Sequence, residues 1–139
     1  MKRRKGREYA FQFLFQFDFT GKTPDKRDFE QFWADKEDDP ELKEFTEDIV
    51  YGTISHLGEI DEAIKRAAEH WVLERMAAAD RNILRAAAYE LLYRKDIPSA
   101  VSMNEAIEIA KKFSTGDSAS FINGILDTIA KGIKGRKVR

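Results

Sequence analysis

From Tyr9 to Phe17 the apolar residues come too densely for a single helical stripe. Ala10, Phe11, Leu14 and Phe15 make one face at i, i+1, i+4, i+5 spacing, and Tyr9, Phe13 and Phe17 make the face beside it. A helix apolar over most of its girth sits either at the centre of a fold or beneath a partner, and the central position is the expectation here. The spacing predicts a helix from Arg7 to Phe19. Thr20-Gly21-Lys22-Thr23-Pro24 should end it, Gly21 as the C-cap and Pro24 as the bar to continuation.

The rest of the chain repeats the helical period, and no stretch sustains β alternation. Asp28–Lys36 reads as a short helix with Phe29, Phe32 and Trp33 inward. Asp38-Asp39-Pro40 opens a third, with Pro in its first turn and acids beside the positive end of the dipole. Phe45, Ile49, Ile54 and Leu57 give its stripe, and Gly58 marks a break before a fourth helix that runs to about His70. Trp71-Val72-Leu73 is the expected hinge between an acidic, aromatic half and an Ala-rich one. Asp80 is placed to cap a helix reaching about Arg94, and Ser102 with Glu105 fits a capping box. After Gly116, Asp117 or Ser118 caps a last helix carrying Phe121, Ile122, Ile125, Leu126, Ile129 and Ile133. The expectation is an all-α fold of about seven helices.

Composition narrows the chemistry. With no Cys among 139 residues there are no disulfides, thiolate metal sites or Cys nucleophiles. The two histidines, His56 and His70, stand outside any spaced metal motif. Gly21-Lys22-Thr23 resembles the tail of a phosphate-binding loop, but Gln16 stands where the first Gly is required. Carboxylates are many and scattered. The reading is therefore not an enzyme, with no metal and no cofactor. No 18-residue apolar run exists, and the basic start leads into an amphipathic segment, so a soluble, cytoplasmic protein without a membrane partner is expected.

The net charge of −1 hides a strong asymmetry. Lys2, Arg3, Arg4, Lys5 and Arg7 crowd one end without an acid among them. Lys131, Lys134, Arg136, Lys137 and Arg139 crowd the other. Between Asp25 and Asp48 acids outnumber bases eleven to four. Concentrated cations at the ends fit a polyanion partner, or tails that merely solubilise. Asp117, Ser118, Ser120 and Phe121, at the turn into the last helix, could offer the polar edges and the ring that read single-stranded bases; Phe121 fits core packing equally well.

Three segments together resemble the NusB family of transcription antitermination factors. Arg3-Arg4-Lys5-Gly6-Arg7-Glu8-Tyr9-Ala10-Phe11-Gln12-Phe13-Leu14-Phe15 is similar to its arginine-rich motif and first helix. Asp80 to Leu92 is similar to its central helix. Asp96-Ile97-Pro98, Asn104-Glu105-Ala106-Ile107-Glu108-Ile109-Ala110-Lys111, Asp117-Ser118 and Phe121-Ile122-Asn123-Gly124-Ile125-Leu126-Asp127 complete the likeness. Thr20 to Leu42 carries no signature of it.

The resemblance implies two packed helical-bundle subdomains, about 1–70 and 71–139. It implies a non-enzymatic factor that binds boxA RNA of nascent ribosomal RNA transcripts with NusE, a small-subunit ribosomal protein. RNA polymerase and other Nus factors complete the implied antitermination complex. It assigns Arg3, Arg4, Lys5 and Arg7 to an RNA-binding arm, with Lys5 a substitution in the motif, and Asp117 and Phe121 to a second RNA contact. It places a NusE surface across the middle of the chain, without individual residues. Two other classes compete: a homodimer sealed by the Phe-rich helix, and an RNA-modifying enzyme fragment without its catalytic domain.

Overall fold

The computed structural model describes residues 2–138, with side chains through Ile133. Arg139 and the side chains of Lys134, Arg136 and Lys137, most of the second basic cluster, lie outside the described residues. Seven α-helices and no strand are found among the described residues: α1 (Lys2–Asp18), α2 (Lys26–Trp33), α3 (Pro40–Ser55), α4 (Leu57–Ala67), α5 (Ala78–Tyr93), α6 (Ser99–Phe113) and α7 (Gly116–Val138). A single 3₁₀ turn, Leu73–Arg75, lies between α4 and α5.

The Phe-rich segment does lie at the centre. Tyr9, Ala10, Phe11, Phe13 and Leu14 are buried. Phe13 meets Phe29 and Phe32 at ring separations of 5.5 and 5.3 Å, which fastens α2 over α1. Phe11 meets Phe113 of α6 at 5.2 Å on the other side. The helix leaves the core at its far end, where Phe19 is exposed. Gly21 takes φ 69°, a left-handed conformation, but α1 ends at Asp18, so Gly21 turns the chain three residues past the helix rather than capping it.

α2 starts two residues before the expected Asp28 and ends three before the expected Lys36, whereas the expected start of α3 holds. Asp25 and Asp28 form a reciprocal capping box. The Asp39 side chain accepts the Leu42 N–H at 3.1 Å, with Pro40 in the first helical position. The break before α4 falls at His56, two residues earlier than Gly58, which sits inside α4.

Three expected N-caps are corrected. α5 begins at Ala78, and Asp80 lies within its first turn. There its carboxylate accepts the hydroxyls of Ser114 and Ser118 at 2.7 and 3.0 Å, joining α5 to the α6–α7 turn. α6 begins at Ser99, so Ser102 is inside the helix and buried rather than capping it. At the start of α7 it is Thr115, not Asp117 or Ser118, whose hydroxyl accepts the Ser118 N–H.

α5 is the hub, packing against α1, α3, α4, α6 and α7. At the end of α1, Asp18 accepts hydrogen bonds from Arg81, Asn82 and Arg85 of α5. Burial pushes the Asp18 carboxyl up, but those hydrogen bonds and the two guanidinium charges outweigh it and hold the group below its ordinary value. Arg85 also grips Asp61 of α4 through two hydrogen bonds of 2.8 and 2.9 Å. Arg85 thus ties the last turn of α1 to the hub through Asp18, and the hub to α4 through Asp61.

Candidate nucleic-acid interface

The basic start of the chain is not a loose arm. α1 begins at Lys2, five residues before the expected start at Arg7, so Lys2, Arg3, Arg4, Lys5 and Arg7 project from one rigid helix. Gly6 shows how closely that helix is held: a Cβ there would lie 2.8 Å from the Phe45 ring and 3.2 Å from the Thr46 hydroxyl of α3. A side chain at position 6 would push α1 off α3.

Arg7 departs from the expectation of an RNA contact. Its side chain is only 6% exposed, and it pairs with the Glu90 carboxylate, 3% exposed, through two hydrogen bonds of 2.9 and 2.8 Å. The Ser102 hydroxyl donates to the same carboxylate at 2.8 Å. Two buried charges satisfied in this way join α1, α5 and α6. Reaching a phosphate would leave Glu90 buried without its counter-ion.

The other cations face outward. Arg3 is exposed, with its guanidinium 4.8 Å from the centre of the Phe45 ring. Lys5 is exposed and sits 5.0 Å from the Tyr9 ring centre. Lys2 lies 3.2 Å from both Asp39 and Glu41. Arg4 forms a bidentate pair with Glu105 of α6 at 3.0 and 2.7 Å. The Arg4 hydrogen bond holds the Glu105 carboxyl below its ordinary value, against the upward push of burial. A carboxylate in this geometry occupies the fork that a phosphate would otherwise take.

Between these arginines and the start of α6 is an open cleft of about 310 Å³. Arg3, Arg4 and Arg7 line it with Ile97, Pro98 and the exposed Val101, and the carboxylates of Asp96 and Glu105 line it as well. Guanidinium groups beside an apolar ledge suit a nucleotide, which carries phosphate and base together. Reading the sequence missed Glu90, Glu105, Pro98 and Val101.

The second expected region lies beyond α6, at the start of α7. Asp117 is exposed in the first turn of α7. Phe121 is half-buried: it packs on the core edge and meets the Trp71 ring at 5.1 Å, with the planes at 76°. The structure thus brings Arg3, Arg4 and Lys5 together, and places Asp117 and Phe121 one turn apart at a separate position. No metal-binding cluster of His or acid side chains occurs among the described residues. No helix among them is long and apolar enough to cross a membrane.

Comparison with known proteins bears on the family and the fold. The sequence model of the NusB family matches residues 4–131. A transcription antitermination protein NusB of Thermodesulfovibrio yellowstonii is 47% identical over 140 residues, covering 94% of this chain and 93% of the relative. One of Desulfitobacterium hafniense is 47% identical over 134 residues, covering 96% and 90%. Among solved structures, NusB of T. maritima has a TM-score of 0.80 at 44% identity, covering 93% of this chain and 90% of that one. A complex of antitermination factors NusB and NusE with dsRNA has a NusB-like chain with a TM-score of 0.86 at 25% identity, covering 94% and 97%. With the family's sequence model spanning nearly all of the helical body, and relatives at this identity covered almost end to end, the chain belongs to the NusB family.

Proposed function

We propose that this protein is a non-enzymatic transcription antitermination factor. It binds boxA RNA of nascent ribosomal RNA transcripts together with NusE, a small-subunit ribosomal protein, and so helps RNA polymerase and other Nus factors pass terminators. Family membership supports the reading, as does the solved relative described as NusB with NusE and dsRNA. Acting on nascent transcripts, it works in the cytoplasm without a cofactor or catalytic step.

The observation that carries the reading is the helical presentation of Arg3, Arg4 and Lys5, anchored from below by the buried Arg7–Glu90 pair. Rigid cations lose little freedom on meeting phosphates, unlike those of a flexible tail. In this proposal Arg3, Arg4 and Lys5 take phosphates, Asp117 and Phe121 make a second contact with the strand, and Arg7 fixes the helix. The expected division near residue 70 is retained, α1–α4 and α5–α7, with α5 as the shared element that both halves cover.

The test is cooperative assembly. Affinity for labelled boxA RNA should be modest alone and should rise when NusE is added. By linkage, RNA must tighten the NusE contact by the same factor. Equal NusE affinity with and without RNA would refute a joint RNA–NusE complex, and absence of RNA binding in both arms would refute the function.

A further inference from the structure

We propose that Trp71 is an RNA-stacking residue, forming with Phe121 a two-ring corner that receives an unpaired base; this rests on the RNA-binding reading above. Trp71 is 60% exposed, while the other tryptophan, Trp33, is buried. A ring of that size left open to water loses a large apolar burial, so its position needs a reason beyond folding. It is not loose. The Trp71 N–H donates to the Ala68 carbonyl at 2.9 Å, and the adjoining Val72 carbonyl accepts the Arg75 N–H at 2.9 Å. The backbone on both sides of the ring is therefore fixed.

The partner ring is fixed as well. Phe121 rests against the core at the start of α7, and the turn before it is pinned by Ser114 and Ser118 to the buried Asp80 carboxylate. At 5.1 Å and 76° the rings meet edge to face, which leaves a right-angled corner rather than a closed stack. Such a corner can hold a planar base flat on one ring with its edge against the other. Single-stranded bases stack on rings of this kind, and paired bases inside a duplex do not.

The end of α6, where the chain turns into the helix that carries Phe121, also lies within reach of the basic helix start. Arg4 is tied to Glu105 of α6, and Glu8 to Lys112 near the end of the same helix. From Glu105 to Phe113 α6 rises about 12 Å, at about 1.5 Å per residue. About four nucleotides cover that distance at the stacked spacing of about 3.4 Å. Lys111 and Lys112 lie exposed along the way, so a strand leaving the arginines meets further cations before it reaches the rings.

The burial difference between the two tryptophans supplies the experiment. In a Trp33→Phe chain, emission reports Trp71 alone, while anisotropy of labelled single-stranded boxA-type RNA reports binding independently. Saturating RNA should quench that emission, and a fully paired duplex of the same sequence should not. Trp71→Ala should weaken binding about 5- to 150-fold, the loss of one base–aromatic stack. The weakening should be the same at every salt concentration, because no phosphate contact is removed. Trp71→Phe should keep most of the affinity, and circular dichroism should show both variants folded. Normal anisotropy with unchanged Trp71 emission, or wild-type affinity in Trp71→Ala, overturns the stacking role while leaving RNA binding intact. A lowered melting temperature with unchanged affinity makes the corner a stability contact and overturns it too. No anisotropy change in the unsubstituted chain overturns both readings.

Discussion

Replacing Arg7 should damage the fold before it damages RNA binding. The Arg7 guanidinium and the Glu90 carboxylate are almost fully buried and satisfy each other through two hydrogen bonds, with Ser102 completing the set. Arg7→Met removes one partner and leaves a carboxylate in the interior with only a hydroxyl donor. Breaking a buried pair from one side costs about 3–5 kcal/mol. For a chain of this length, at about 4 °C per kcal/mol, that is a fall in melting temperature of about 12–20 °C. The double variant Arg7→Met/Glu90→Leu removes both charges and should recover most of the loss, because a buried pair replaced by apolar residues of similar volume is often close to neutral. Thermal and urea melts of the four chains in the cycle give the coupling directly. RNA affinity of the folded double variant should stay within a few-fold of the original. If Arg7→Met melts like the original chain yet binds RNA far more weakly, the burial argument fails and Arg7 is a direct contact.

Glu105→Gln should free the Arg4 fork for phosphate and strengthen RNA binding by up to about fivefold, the range of a partly exposed ion pair; unchanged or weaker binding in filter assays would show that Glu105 does not compete with RNA. Gly52→Ala should destabilise strongly, because a Cβ there would lie 2.1 Å from the Tyr89 ring on the hub helix; a melt within about 1 kcal/mol of the original, in the range of ordinary surface changes, would refute that close approach. Asp18 and Glu105 have lowered carboxyl pKa values when folded, and the Arg94 hydrogen bond takes Asp96 down to about 2. Their stabilisation is therefore full above the unfolded values of about 4, and is lost as pH falls through the folded ones, so melts should weaken between about pH 4.5 and 2 and stay flat from pH 6 to 8.

Helix number and order were legible because the apolar period persists along the whole chain, and the Phe-rich segment announced its central place by having too many apolar faces. Boundaries slipped where side chains bond across helices instead of capping their own. Asp80 and Ser102 have the composition of N-caps, but Asp80 accepts from the α6–α7 turn and Ser102 donates to α5. The basic cluster was visible, its division was not. A signal for that division does exist in the register. Arg7 falls in phase with Ala10, Phe11 and Leu14, and Glu90 in phase with Ile83 and Ala87, so each charge lies on a core stripe. Opposite charges in two core stripes point to a buried pair. Glu105, Pro98 and Val101 carry no such mark, since their place beside the arginines comes only from the packing of α6.

The salt dependence of RNA binding tests the central claim most directly. With Arg7 withdrawn to the interior, Lys2, Arg3, Arg4 and Lys5 can neutralise at most four phosphates. The single-strand coefficient then limits their share of the log–log slope to about −2.8. Anisotropy titrations of boxA RNA across a potassium chloride series should show the slope of an Arg3→Ala/Arg4→Ala/Lys5→Ala chain flattened by about 2 units, with its helical circular dichroism intact. A triple variant with the same slope and the same affinity would contradict the claim that the start of α1 holds the RNA backbone.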